Sequence, residues 1–141
     1  MSKRRSGSSL VEMIITILVL GVLLSMGIPQ FAQSLEQSRA NVAGANLRAL
    51  WSAQRLYWLE NRTYSPDLAT LLSANLIDPS LTTETAPYTF AVSNASSTTF
   101  TATATRSGSS TWSGSYTIIQ DGTFSGTVQS GSGVTIVPGF Q

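Results

Sequence analysis

Glu12 is the first acidic side chain of the sequence. It stands three residues into an apolar run, Leu10 to Ile28, that carries no other charge. A carboxylate at the centre of a hydrocarbon span costs on the order of 3 kcal/mol, and less near an end. The chemistry open to it there is pairing, since an ammonium within reach offsets much of the desolvation. Proton-transfer and nucleophilic chemistry lack their usual members, because the chain has no His and no Cys. Ser-His-Asp triads, thiolate nucleophiles, disulfides and most zinc sites are thereby excluded. Asp67, Asp78, Glu84 and Asp121 each sit beside Pro, Gly or Thr, where acids serve caps and turns. No dense Asp/Asn loop of the calcium-binding kind is present. This inventory argues against an enzyme and implies no metal and no cofactor.

The element that must hold Glu12 is a helix. Leu10 to Ile28 is 19 residues, inside the range of roughly 17–25 that crosses a bilayer. Lys3, Arg4 and Arg5 precede it with no matching cluster after it, so the N-terminus belongs in the cytoplasm and everything after Pro29 on the far side. Two simple readings fit this much: a secretory signal cleaved near Ser25-Met26-Gly27, or a plain membrane anchor. Neither accounts for the segment beyond Pro29. From Gln30 to Asn61 the chain holds no Pro and one Gly, Gly44, among good helix formers. Phe31, Leu35, Val42, Ala45, Ala49 and Leu56 recur at helical spacing, widened by Leu47, Leu50, Trp51, Gln54 and Trp58, which reads as one core-facing stripe. Glu36 and Arg39 make a same-face pair. Pro29 then kinks one long helix without ending it.

A basic leader ending in Gly7, then Ser8, Glu12 four residues on, an apolar stretch and Pro29 together resemble the N-terminus of a type IV pilin or of a type II secretion pseudopilin. The resemblance is specific over residues 3–31 and looser to about residue 65. It implies a prepilin peptidase that cuts after Gly7 and methylates the new N-terminus, Ser8. The leader basics Lys3, Arg4 and Arg5 go with the cut. Ser8 departs from the Phe commonest at that place; that peptidase reads mainly the glycine and the leader. The resemblance also implies that Glu12 pairs with a freed N-terminal ammonium during filament assembly, and that Pro29 is the kinking proline. Its implied partners are further copies of the chain in a helical filament, the peptidase, an inner-membrane assembly platform, and lipid before assembly. The implied location is a single-pass inner-membrane precursor, then an extracellular or periplasmic filament. A pseudopilin of a type II secretion system, or an anchored or secreted binding module, are the alternatives.

Beyond Asn61 the helical pattern stops. Ser65, Pro66 and Asp67 read as N-cap, first-turn proline and first-turn acid of a short helix to about Asn75, with Leu68, Leu71, Leu72 and Leu76 inward. Asp78-Pro79 marks a turn. From Tyr88 the period becomes two: Tyr88, Phe90 and Val92, then Phe100, Ala102 and Ala104. The stretch "SYTIIQDGTFSGTV" reads as a hairpin turning at Asp121-Gly122, with Tyr116, Ile118, Phe124 and Val128 on its core face. Arg106 to Ser115 reads as a Ser/Gly-rich loop with Trp112 folded back, and Val134 to Val137 as a further strand. The expected organisation is a leader at 1–7, an apolar helix at 8–29, an amphipathic helix at 30–61, a loop with a short helix at 62–87, and a sheet domain at 88–141. The fold class is α+β, a long helix packed on an antiparallel sheet of about four strands, which is also the pilin-like architecture.

Charged residues make up only 11% of the chain. Without the three leader basics, five basic side chains face seven acidic ones. A surface this poor in positive charge lacks the electrostatic term that nucleic-acid binding draws on, so no nucleic acid is directly indicated as a partner.

Overall fold

The computed structural model describes residues 8–83 and 87–139; for Ser8, Ser9, Met26, Gly27 and Pro29 only the backbone is described. Gly7, the leader basics and Glu84 lie outside the described residues. One helix, α1, runs from Ser8 to Asn61 and continues through Pro29. The chain divides into two compact units, the first ending at Leu35 and the second starting at Glu36.

In the first unit every described side chain from Leu10 to Leu35 is exposed. Leu10, Ile17 and Phe31 leave 69%, 68% and 72% of their surface uncovered, although the segment is apolar enough to cross a membrane. The few polar side chains are satisfied locally. Thr16 Oγ1 donates back to the Glu12 carbonyl, Ser25 Oγ to Val22 O at 2.8 Å, and Ser34 Oγ to Gln30 O at 3.0 Å. Such back-bonds hide hydroxyls from an apolar surround. Proline has no N–H, so Pro29 leaves the Ser25 carbonyl without its usual helical donor.

The second unit packs the rest of α1 on an antiparallel meander of β1 (Tyr88–Ser93), β2 (Thr101–Arg106), β3 (Trp112–Ile119), β4 (Phe124–Ser130) and β5 (Thr135–Ile136), adjacent in chain order. The sheet has five strands where about four were expected; the fifth is the two-residue β5 from the Val134–Val137 segment. The expected hairpin is β3–β4, with Ile118 facing Phe124 and Tyr116 facing Gly126. Tyr116, Ile118 and Val128 are buried and Phe124 is half-buried. Gly126 has φ +100°, and a Cβ there would overlap the Ser115 carbonyl oxygen; only glycine lets the two strands meet so closely.

Three local expectations need correction. The side chains of α1 that enter the core are Ala40, Ala43, Leu47, Leu50, Ala53 and Gln54. Of the stripe read from the sequence, Phe31, Leu35, Val42, Ala45, Ala49 and Leu56 are all exposed, while Leu47, Leu50 and Gln54 are buried and Trp51 and Trp58 half-buried. Helix α1 is therefore apolar on two faces, and the sheet covers one. The short helix α2 is Leu68–Ser73, capped by Asp67 rather than Ser65: Asp67 Oδ1 accepts Thr70 N at 2.7 Å. Ser65 is instead buried, its backbone N donating to Gln54 Oε1 at 2.8 Å and its O accepting Gln54 Nε2 at 3.0 Å. Of the leucines expected inward, Leu71 is buried and Leu68, Leu72 and Leu76 are half-buried. Finally, much of the segment read as a loop is strand. Arg106 ends β2, and β3 begins at Trp112, which is half-buried against the core.

Candidate functional site

The chemistry-bearing residues fall at two places. The first is the start of α1, where Ser8 opens the helix and Glu12 follows at four residues. That spacing puts both on one face, one turn apart. Glu12 is exposed among exposed Leu10, Val11, Met13 and Ile14. A carboxylate so placed, in a segment that water would not solvate once inserted, is stabilised by any cation close by. Pro29 lies further along the same helix.

The second place is the outward face of α1 in the second unit. Val42, Leu56 and Leu59 are 58%, 53% and 61% exposed, with Ala45 and Ala49 exposed beside them. Their spacing lines them along one side of the helix, away from the buried alanines and leucines. Ser38, Ser52 and Glu60 are exposed on the same side, so large apolar side chains share it with a few polar ones.

A third constellation holds the helix to the sheet, and the sequence showed only part of it. Glu36 is 1% exposed. Its carboxylate receives two bonds from Arg106, Nε to Oε1 at 2.6 Å and Nη2 to Oε2 at 3.0 Å. Arg39 Nη1 donates to Oε2 at 3.2 Å and the Tyr88 hydroxyl to Oε1 at 3.3 Å. Arg106 also donates through Nη1 to Pro87 O at 3.0 Å and to Ser107 O, and lies 5.6 Å from the Tyr88 ring centre. Tyr88 stacks on Tyr116 at 5.8 Å, and the Tyr116 hydroxyl donates to Ile136 O at 3.1 Å. Burial pushes the Tyr88 phenol well above its ordinary range and raises that of Tyr116, and the Glu36 carboxylate adds to both shifts; both hydroxyls remain donors at any physiological pH. This bidentate, desolvated pair is a clamp rather than a reactive centre: each carboxylate oxygen of Glu36 accepts two bonds and Arg106 donates four, which holds both groups still. The expected Glu36–Arg39 pair exists, but the dominant partner comes from 70 residues away. The available signal was Arg106 itself, the one charged residue between Glu84 and Asp121.

Asp67, Asp78 and Asp121 all take up cap and turn duty. Asp67 accepts Thr70 N, Asp78 accepts Ser80 N at 2.8 Å, and Asp121 accepts Thr123 N at 2.7 Å. These bonds hold the three carboxyls below their ordinary range, Asp67 and Asp121 chiefly through the backbone N–H and Asp78 chiefly through Ser80. Asp78 caps a single 3₁₀ turn, Pro79–Thr82. Among the described residues no group of three or more acids is placed to hold a metal ion.

The comparisons with known proteins agree with this inventory. A family model described as the prokaryotic N-terminal methylation motif matches residues 2–28. The chain is 34% identical over 62 residues to the type IV major pilin protein PilA of Myxococcus xanthus, a match covering 44% of this chain and 28% of that protein. It is 29% identical over 62 residues to the type II secretion system core protein G of Pseudomonas aeruginosa, covering 44% of each. The matches thus span less than half the length of either relative. A second family model, described as "Type IV minor pilin ComP, DNA uptake sequence receptor", matches residues 29–117, more than half of the chain. With its long apolar helix packed on an antiparallel sheet, the protein belongs to this type IV pilin family.

Proposed function

We propose that the chain is made as a prepilin, cut after Gly7, methylated at Ser8, and built into a helical filament through α1. The observation that carries this reading is the pair of uncovered apolar surfaces on one helix. The first unit is apolar and bare along its length, which lipid satisfies before assembly. The outward face at Val42, Leu56 and Leu59 lies beyond what an N-terminal anchor alone requires, and sister helices would cover it. Contiguous apolar surface of this kind marks an interface.

Within such a bundle Glu12 acquires its partner. Cutting after Gly7 creates an ammonium at Ser8, one turn away in the same chain and equally available to a neighbour. Removing either partner of a buried pair costs about 3–5 kcal/mol, so subunits staggered wrongly by a helical turn are rejected. The peptidase and an inner-membrane platform are the processing and assembly partners this route requires. Orientation follows from Lys3, Arg4 and Arg5, with the second unit outside the cytoplasm. A pseudopilus of a secretion system uses the same parts, and the likeness to protein G supports it as the second reading. DNA reception, named in the family description, is not carried over: residues 36–141 hold five arginines against six acids, two of the five engaged by Glu36.

Replacing Glu12 with Ala tests the proposal. Membrane level and the fold of the second unit stay at wild type, and filaments recovered from the cell surface or periplasm fall by at least about tenfold, as the loss of a few kcal/mol per contact dictates. Wild-type filament yield from that variant would refute the pairing.

A further inference from the structure

Three arginines of the second unit, Arg48, Arg55 and Arg62, recur every seven residues on α1, and all are exposed. Trp51 and Trp58 fall between them. At about 100° per residue the five side chains share roughly 80° of arc. The indoles are fixed from two sides. Trp51 Nε1 donates to Gln120 O at 3.1 Å and Trp58 Nε1 to Ser97 O at 2.8 Å. The Arg55 guanidinium lies 4.9 Å from the Trp51 ring centre, and that of Arg62 5.3 Å from the Trp58 ring centre. The row, with a groove lined by Arg55, Trp58, Leu59 and Tyr64 beside it, keeps one face of each indole under a guanidinium. It offers positive charge, one step about every 10.5 Å, held in place by cation–π contact.

The other flank of α1 carries the opposite sign. A groove between α1 and the sheet, lined by Val42, Asn46, Ser80, Leu81 and Phe90, places the 3₁₀ turn and β1 on that flank. A separate groove, lined by Arg48, Ser52, Ile118 and Asp121, places the β3–β4 turn on the arginine flank, where the exposed Asp121 offsets one of the three arginines and leaves the flank positive. Helix α2 packs on the 3₁₀ turn, so Asp67 and Asp78, both exposed, cap elements of the acidic flank. Arg39 on that side is engaged by Glu36. The face of Val42, Leu56 and Leu59, which also carries the exposed Glu60, runs between the two.

We propose that the Arg55–Arg62 row of one subunit seats against the Asp67–Asp78 flank of the next copy of this chain. The inference rests on the filament reading above and goes beyond it by naming the contact between the sheet-bearing units. Two different patches on opposite flanks meet head to tail, and such a heterologous contact propagates instead of closing as a dimer. The charges fix register and salt response, while the apolar face between them supplies the adhesion.

The test is a double-mutant cycle on fibres of the full chain. One variant carries Arg55→Gln and Arg62→Gln. Another carries Asp67→Asn and Asp78→Asn, which keep the cap acceptor and lose only the charge. The last carries all four substitutions. Each pair lowers fibre recovery about fivefold at low salt and flattens its dependence on NaCl, and the quadruple variant is no worse than either pair. A variant with Arg55→Lys and Arg62→Lys keeps the charge and restores recovery, which separates the contact from a folding defect. Losses that multiply in the quadruple variant, or fibres indifferent to both pairs, overturn the proposal. So does an arginine variant with unchanged fibres that has lost duplex-DNA retention, since the row then serves nucleic acid. Fibres that need Glu12 but ignore these substitutions leave the filament reading standing and remove only this contact; no fibre from the unaltered chain removes both.

Discussion

Replacing Arg106 with Met isolates the clamp between helix and sheet. The Arg106 and Glu36 side chains are 4% and 1% exposed, so the substitution strands a buried carboxylate. Breaking such a pair costs about 3–5 kcal/mol. Arg39 at 3.2 Å and Tyr88 at 3.3 Å still reach Glu36, and Arg39 is 41% exposed, which places the cost at the lower end, about 3 kcal/mol. For a unit of this size that lowers Tm by roughly 10–20 °C. The assay is thermal unfolding of the detergent-solubilised chain followed by tryptophan fluorescence. All three tryptophans, Trp51, Trp58 and Trp112, lie after Glu36, so the apolar end of α1 does not contribute. Combining Arg106→Met with Glu36→Leu removes both charges and returns stability to within about 1 kcal/mol of wild type. Arg39→Ala alone costs less than about 1 kcal/mol, as its exposure dictates. If Arg106→Met melts with the wild type, or if the double variant is worse than the single, the clamp is not what fixes helix to sheet.

Gly126→Ala forces a Cβ onto the Ser115 carbonyl at a φ that L residues avoid; stability falls by about 3 kcal/mol or more, read as a drop in the same melt with β3–β4 amide protection lost first. Asp67 is held below its ordinary range by Thr70, so the stability it adds is full above the unfolded value and is lost as pH falls through the lower folded one. Melting temperature therefore drops below about pH 4 in the wild type. Asp67→Asn keeps the cap and flattens that acid limb, whereas Asp67→Ala lowers the melting temperature at neutral pH as well; an unchanged acid limb in both variants would discard the cap assignment.

The architecture was legible because each element announces itself locally. The Leu10–Ile28 run, the Asp121-Gly122 hairpin and the alternation at Phe100, Ala102 and Ala104 need no tertiary information. What the sequence hid depends on partners. Val42, Ala45, Ala49 and Leu56 carry the same helical spacing as Ala40, Ala43, Leu47 and Leu50, so periodicity reveals that α1 is apolar but not which side meets the sheet. Glu36 looked like a surface acid because its neighbour Arg39 is visible and its main partner, Arg106, is not. Ser65 fits an N-cap pattern with Asp67 as its first-turn acid; Gln54, eleven residues before Ser65, takes the serine backbone for itself, and Asp67 caps the helix instead. The N-terminal processing and pairing proposed above rest on the Gly7, Ser8, Glu12 pattern, since a contact across subunits would leave no trace inside one chain.

The proposed assembly of filaments through α1 depends most on a freed ammonium at Ser8 facing Glu12. Intact mass and terminal sequencing of the mature protein, taken from membranes and from fibres, test it directly. The expected product begins at Ser8 and carries one methyl group on its amine. A chain that keeps Met1, or one that begins at Ile28, has no ammonium beside Glu12 and contradicts it.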